Sequence, residues 1–155
     1  MITSVSVEPA RSPGVEELLR LSDEFTFALY PAESCYLLDV SDLERPGVTV
    51  FVGRDEAGGA LGMAALVEKG DGTAELKRMF VHPDARGRGL AAGLLRAVEA
   101  QAAVAGIPVL QLETGPLQHA AIALYESRGY VRIPNFGDYV GDPHSVCFAK
   151  TLRAA

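Results

Sequence analysis

The residues with the plainest chemical meaning in this chain of 155 are Arg86-Gly87-Arg88-Gly89, followed by Leu90-Ala91-Ala92. They stand between an apolar run ending Phe80-Val81 and the start of a helical pattern. A helix start carries backbone N–H groups without intrahelical partners and the positive end of the helix dipole. Glycines let that backbone close on a ligand with no side chain in the way. The stretch therefore predicts an anion site, with a pyrophosphate as its best ligand. No metal chemistry competes with it. Cys35 and Cys147 lie far apart, and His82, His119 and His144 form no ligand spacing with them. Both cysteines are expected as small core residues.

Composition narrows the function classes. The chain is 48% hydrophobic and 22% charged, the balance of a globular domain rather than a disordered segment. Its length predicts a single domain over residues 1–155. A net charge of −6 argues against sequence-independent nucleic-acid binding. Glu8, Arg11, Glu16 and Glu17 stand where a signal peptide needs an apolar run, and no stretch reaches transmembrane length, so a reduced, cytoplasmic protein without membrane partners is expected.

The elements that must position the loop follow from periodicity. Ser4–Glu8 alternates as a strand, and Val15–Leu29 carries a helical stripe at Val15, Leu18, Leu19, Leu21, Phe25 and Leu29. A short helix is expected within residues 32–42. Val48–Val52, Ala60–Val67 and Ala74–Val81 are strands separated by glycine turns, so they should be antiparallel neighbours. Gly89–Ala105 is a helix with Leu90, Leu94, Leu95, Val98 and Ala102 on one face. The strand Val109–Leu112 must then cross over and run parallel to Ala74–Val81. A second helix, Leu117–Arg128, stops at Gly129; strands Tyr130–Ile133 and Ser145–Leu152 close the chain around a polar, aromatic loop. The fold class is α/β: a mixed, mostly antiparallel sheet flanked by helices, with one central βαβ unit carrying the glycine loop.

Three phosphate ligands fit such a loop unequally. A nucleotide triphosphate loop needs lysine and a hydroxyl residue after its last glycine, but Leu90-Ala91 stands there. A dinucleotide fingerprint matches the spacing Gly87-x-Gly89-x-x-Ala92, with Glu113 downstream for a ribose. In that motif the strand runs almost directly into its first glycine, whereas His82–Arg86 intervene here. A dinucleotide oxidoreductase is the remote alternative. The third ligand is coenzyme A.

From Ala74 onward the chain resembles the GNAT superfamily of acyl-CoA N-acyltransferases. Arg86-Gly87-Arg88-Gly89-Leu90-Ala91 fits that family's Arg/Gln-x-x-Gly-x-Gly/Ala loop. Leu112-Glu113-Thr114 and Ala120-Ala121-Ile122-Ala123-Leu124-Tyr125-Glu126-Ser127-Arg128-Gly129-Tyr130 resemble the ending of ribosomal-protein N-terminal acetyltransferases. The resemblance implies the GNAT fold and an acetyl-CoA-dependent N-acetyltransferase, with a primary amine attacking the thioester directly in a ternary complex. A non-catalytic acyl-CoA-binding or regulatory module is the alternative on the same fold.

Site residues follow from the same resemblance. Met79, Phe80 and Val81 would pair with the pantetheine arm on a strand bulged at that point, and Val81 N–H would hold the thioester carbonyl. The N–H groups of Gly87 to Ala92 would cradle the pyrophosphate; Gln118 stands where the family has a cofactor-contacting asparagine. Arg86 supplies charge, and Arg88 and Arg128 are in reach of the adenosine 3′-phosphate. Tyr125 matches the tyrosine that protonates the departing thiolate. Glu75 and Glu113 match general bases of two branches, and both stay open. Acceptor contacts are expected from Tyr30, Glu33 and Tyr36 and from Phe136, Asp138 and Tyr139, a set that suits a small cationic amine or an N-terminus. Homodimers are common in the family.

Overall fold

The computed structural model describes residues 4–153. One seven-stranded sheet runs through them in the order β1-β2-β3-β4-β5-β7-β6. Its strands are β1 (Ser4–Val7), β2 (Val48–Arg54), β3 (Ala60–Glu68), β4 (Thr73–Val81), β5 (Val109–Thr114), β6 (Val131–Ile133) and β7 (Val146–Thr151). All neighbouring pairs are antiparallel except β4 with β5. That pair is joined by a crossover through α3 (Leu90–Val104). The last strand does not extend the sheet outward: β7 inserts between β5 and β6.

Helices cover both faces because the strands alternate. Phe51, Ala64, Leu66 and Leu76 point to α3, where they meet Leu90, Leu94, Leu95 and Val98. Tyr125 of α4 (His119–Ser127) and Tyr130 join this cluster. Val50, Val52, Met63 and Ala65 point the other way, onto Val15, Leu18 and Leu19 of α1 (Val15–Leu29). The second half of α1 leaves the sheet. Its expected stripe position Phe25 is exposed, Ser22 is buried instead, and the end of the helix becomes a wall rather than a core element.

One irregularity in β4 governs the site. Ala65 pairs with Lys77 and Met63 with Phe80, so two β4 residues, Arg78 and Met79, stand against Ala64. Arg78 is the extra residue of this bulge, and its φ of 57° is left-handed without being glycine. The bulge has two consequences. It reverses the facing of the rest of the strand, so Phe80 packs in the α1 cluster although Leu76, four residues earlier, packs under α3. It also ends the parallel pairing: β4 and β5 are in register from Thr73–Val109 to Leu76–Leu112 and then part. Beyond that point Glu113 and Thr114 pair only with β7.

Several expectations need adjusting. The second helix starts at His119 rather than Leu117, because Gly115–Gln118 forms a turn in which the Gln118 side chain accepts from Gly115 N–H at 2.9 Å. Residues 32–42 hold two short pieces, a 3-10 turn at Ala32–Ser34 and α2 (Val40–Leu43), the latter closed by a reciprocal Asp39–Asp42 capping box. Cys147 is buried as expected. Cys35 is only half-buried, its thiol 3.3 Å from the Pro31 carbonyl in a polar turn, and is not a core residue. The dinucleotide alternative fails on topology, since three antiparallel neighbours precede the loop-bearing strand.

Since the bulge is what seats Phe80 under α1, Phe80→Ala should cost about 3–5 kcal/mol, read from the urea midpoint at unchanged slope.

Candidate active site

Where β4 and β5 part, a cavity of about 830 Å³ opens, the size of a site for a drug-sized ligand. Its walls come from both faces of the sheet. Leu76 to Val81 form the β4 edge, Glu113 to Gly115 the end of β5, and Gly87, Gly89 and Leu90 to Ala92 the start of α3. Ala120, Ala121, Leu124, Tyr125 and Arg128 come from α4. Ser22, Phe25 and Thr26 of α1, with Tyr30, Ser34, Tyr36 and His144, make the opposite wall.

The glycine loop is built for an approaching backbone ligand. Gly87 and Gly89 both hold φ of 78°, and Gly89 is the N-terminal cap of α3. A Cβ at either position would meet nothing within 4 Å, so the space in front of the loop is open. No acidic residue stands in the first turn of α3, which leaves its N–H groups to an anion. Arg86 lies at the loop entrance. Its guanidinium carbon sits 5.5 Å from the Phe25 ring centre and 5.7 Å from that of Phe80, and its Nε donates to the Val81 carbonyl at 3.3 Å. Arg128 lines the cavity, and Arg88 is exposed outside it. Chemically this end suits a pyrophosphate.

Tyr125 and the two glutamates separate clearly. Tyr125 is 5% exposed and lines the cavity, its ring edge-on to Tyr130 at 5.8 Å. Burial, then the charge of Glu113, pushes its phenol well above the usual tyrosine value, so it holds its proton at neutral pH. Glu113 also lines the cavity, and burial raises its carboxyl above the ordinary range, opposed by the Ser145 hydroxyl and the Lys77 ammonium. Glu75 does not line the cavity. It is buried, and its carboxylate accepts from Tyr139 Oη at 2.5 Å and lies 3.0 Å from Lys69 Nζ and 3.8 Å from Lys77 Nζ.

The acceptor-side expectations divide in the same way. Tyr30 and Tyr36 line the cavity. Tyr30 Oη accepts from Leu117 N–H at 3.0 Å, which fastens the end of α1 to the β5–α4 turn. Glu33 and Asp138 are exposed on 3-10 turns, and neither lines the cavity. Phe136 packs edge-on against Tyr139 at 5.3 Å, and Tyr139 is buried behind the cavity on Glu75 and Lys77. The charged groups that do line the cavity on this side are Lys77, Arg78 and Glu113, with the His144 ring beside them. Lys77, Arg78 and His144 escape a sequence reading, for nothing in spacing marks them. A lysine and arginine in mid-strand are the one available sign, since a buried strand position rarely holds either without a partner.

The comparisons with known proteins bear on this geometry. Residues 15–130 match the Acetyltransferase (GNAT) family. The chain is 37% identical over 150 residues to "IAA acetyltransferase" of Azospirillum brasilense, covering 96% of this chain and 97% of that protein. This chain belongs to the GNAT acetyltransferase family. It is an acetyltransferase of the GNAT fold. A putative acyl-CoA N-acyltransferase of Klebsiella pneumoniae superposes with a TM-score of 0.83 at 32% identity, over 98% of this chain and 99% of that one. The PaiA N-acetyltransferase of Thermoplasma acidophilum, solved in complex with coenzyme A, shares the fold with a TM-score of 0.74 at 15% identity, covering 97% and 99%. GNAT enzymes draw on acetyl-CoA and act on amines; among the described residues no cluster suited to a metal ion is present, and no helix is long and apolar enough to cross a membrane.

A Cβ on Gly115 would lie 1.9 Å from Tyr30 Oη. Gly115→Ala should therefore expel Tyr30 from this wall and cost about 1–3 kcal/mol, seen as a lowered Tm.

Proposed function

We propose that the chain transfers an acetyl group from acetyl-CoA to a primary amine by direct attack, with Glu113 as general base and Tyr125 as general acid. The observation that carries this reading is their common cavity: Glu113, Tyr125, the bare β4 edge and the glycine loop all line it. The pyrophosphate would rest on the N–H groups of Gly87 to Ala92, with Arg86 and Arg128 adding charge. Arg88, beside them in the loop, is assigned to the 3′-phosphate. The segment Met79, Phe80 and Val81 offers the pantetheine arm the edge of β4 that β5 leaves after Leu76, its other edge staying paired with β3. Gln118 supports this wall by holding the Gly115 turn.

The chemistry then needs two proton movements. An amine in water carries a proton, with a pKa of about 10, and must lose it to attack. Glu113, being half-buried and raised in pKa, is a better base than an exposed carboxylate. Attack forms the N–C bond, Val81 N–H holds the carbonyl oxygen as it gains charge, and the C–S bond breaks. Tyr125 gives its proton to the departing sulfur. Its raised pKa keeps that proton in place at neutral pH until negative charge develops on the departing sulfur. Glu75 is better suited to structure: its carboxylate is already engaged by Lys69, Lys77 and Tyr139. We read the chain as one such domain, working in a reducing, cytoplasmic compartment in which the free thiols of Cys35 and Cys147 persist.

Tyr125→Phe should lower kcat by roughly 100-fold or more while acetyl-CoA affinity changes little, as measured by coenzyme A release and calorimetry. Unchanged turnover across pH would remove Tyr125 from the mechanism. The sign of the pH dependence follows from Glu113. It accepts a proton only when ionised, and its pKa is raised, so kcat should climb with pH through a limb lying above the ordinary carboxylate range. Glu113→Gln should abolish that limb, whereas Glu75→Gln should keep it and move it to lower pH, because the Glu75 charge helps to raise the Glu113 carboxyl.

A further inference from the structure

We infer that the amine acceptor carries a carboxylate, as an amino acid does, and that Arg78 takes it. The inference rests on the acetyltransferase reading above and concerns the acceptor end of the same cavity. It starts from charge. Among the described residues, Glu113 is the one carboxylate in the lining, whereas Lys77 and Arg78 both reach the wall. Glu33 and Asp138, which would have welcomed a cationic amine, stand outside. Asp142 is consumed elsewhere: it accepts from Tyr36 Oη at 2.6 Å, from Ser34 Oγ at 3.1 Å and from His144 N–H at 2.8 Å.

The charged groups around this wall run from the buried Arg78, Lys77 and Glu75 to the more exposed Asp23 and Lys69. Arg78 pairs with Asp23 at 2.6 Å. Lys69 and Lys77 share Glu75, at 3.0 and 3.8 Å. Lys69 is 40% exposed and keeps its water, so the buried Lys77 has the charge of Glu75 opposite it, joined by that of Glu113. Once Glu113 accepts the acceptor's proton, the lining holds a surplus positive charge in a half-dry cleft. A carboxylate on the acceptor offsets that surplus.

Arg78 has the geometry to receive it. Its side chain is 4% exposed, and it is held by three bonds: Nε to the Leu38 carbonyl at 2.9 Å, Nη1 to Asp23 at 2.6 Å and Nη1 to Ser22 Oγ at 3.3 Å. Nη2 has no bond among the described residues. Lys77 is less free, with Nζ donating to Tyr139 Oη at 2.7 Å and to the Tyr36 carbonyl at 3.0 Å, so it contributes charge rather than a contact. An acceptor with an ammonium towards Glu113 and a carboxylate towards Arg78 Nη2 satisfies both groups. An amine without the carboxylate leaves a fixed guanidinium donor facing it unanswered.

The test compares acceptor triplets by coenzyme A release: alanine, leucine, phenylalanine and β-alanine, each beside its carboxamide and its decarboxylated amine. The carboxamide is less basic than the amino acid and the decarboxylated amine more basic. A preference for the acid over both therefore cannot come from amine basicity. We expect kcat/KM for the best acid to exceed both partners by on the order of 10- to 100-fold. Arg78→Asn, a residue that tolerates the left-handed backbone, should level the triplet by raising KM for the acid, while Arg78→Lys keeps part of the preference. General damage to the fold would instead lower all three alike and leave their ratio intact. Equal or better use of the amide or amine by the wild-type protein overturns the inference and leaves the transferase reading standing. So does a preference that survives Arg78→Asn. No release with any acceptor also overturns it, and calorimetry with acetyl-CoA then tells whether the transferase reading falls too: binding keeps the donor site, and no binding removes it.

Discussion

A single left-handed residue, Arg78, is what the rest of the site depends on. By inserting one residue opposite Ala64 it ends the pairing of β4 with β5 at Leu76–Leu112. A regular β4 would continue that ladder, and main-chain groups of Met79 to Val81 would be spent on β5. The same insertion turns Phe80 into the α1 core, which anchors the bulged segment by burial of a large ring. A non-glycine residue at φ 57° is uncommon, and it persists here because both the backbone and the side chain are held. Strand pairing with Met63 and Gly62 resumes after it, and Asp23, Ser22 and the Leu38 carbonyl grip the guanidinium. The residue that opens the cleft is thus also tied to the helix that walls it.

Burial then divides two chemically identical side chains. Glu75 and Glu113 lie on neighbouring strands, but Glu75 falls in the paired part of the sheet and Glu113 past the point of splaying. Glu75 is enclosed with two ammonium groups and a phenol, an arrangement that holds charge in a fixed place. Glu113 has lost water on one side without gaining an ion pair of that quality, and its carboxyl is raised accordingly. The partition of roles therefore comes from the sheet's geometry, not from residue type.

Much of the fold was legible because its signals are local. Val15–Leu29 is written in a stripe and its bounds are as expected; the three antiparallel strands are set off by glycine turns; the crossover forces β5 parallel to β4. The glycine loop was legible for the same reason, since φ of 78° at Gly87 and Gly89 demands the residue type that marks it. What stayed hidden depends on long-range contact. The bulge residue is an arginine, with no compositional sign of a left-handed backbone. Tyr139 meets Glu75 across 64 positions of sequence, so a loop tyrosine that seemed to belong to the acceptor wall is a buried partner of a strand glutamate. The acidic loop residues misled in the same direction. Glu33 and Asp138 are close to the cavity in sequence terms and outside it in space, and the wall's charge is instead set by mid-strand Lys77 and Arg78.

The reading proposed above has the cleft opened by Arg78 take acetyl-CoA with its pyrophosphate on the start of α3. Calorimetric titration of coenzyme A into Gly89→Glu and Gly89→Asn variants tests it most directly. Asparagine tolerates the left-handed backbone at that position and glutamate adds a charge where a phosphate would lie. The asparagine variant should stay within a few-fold of wild type, and the folded glutamate variant should lose affinity by about 100-fold or more. Equal affinity in all three proteins would contradict it.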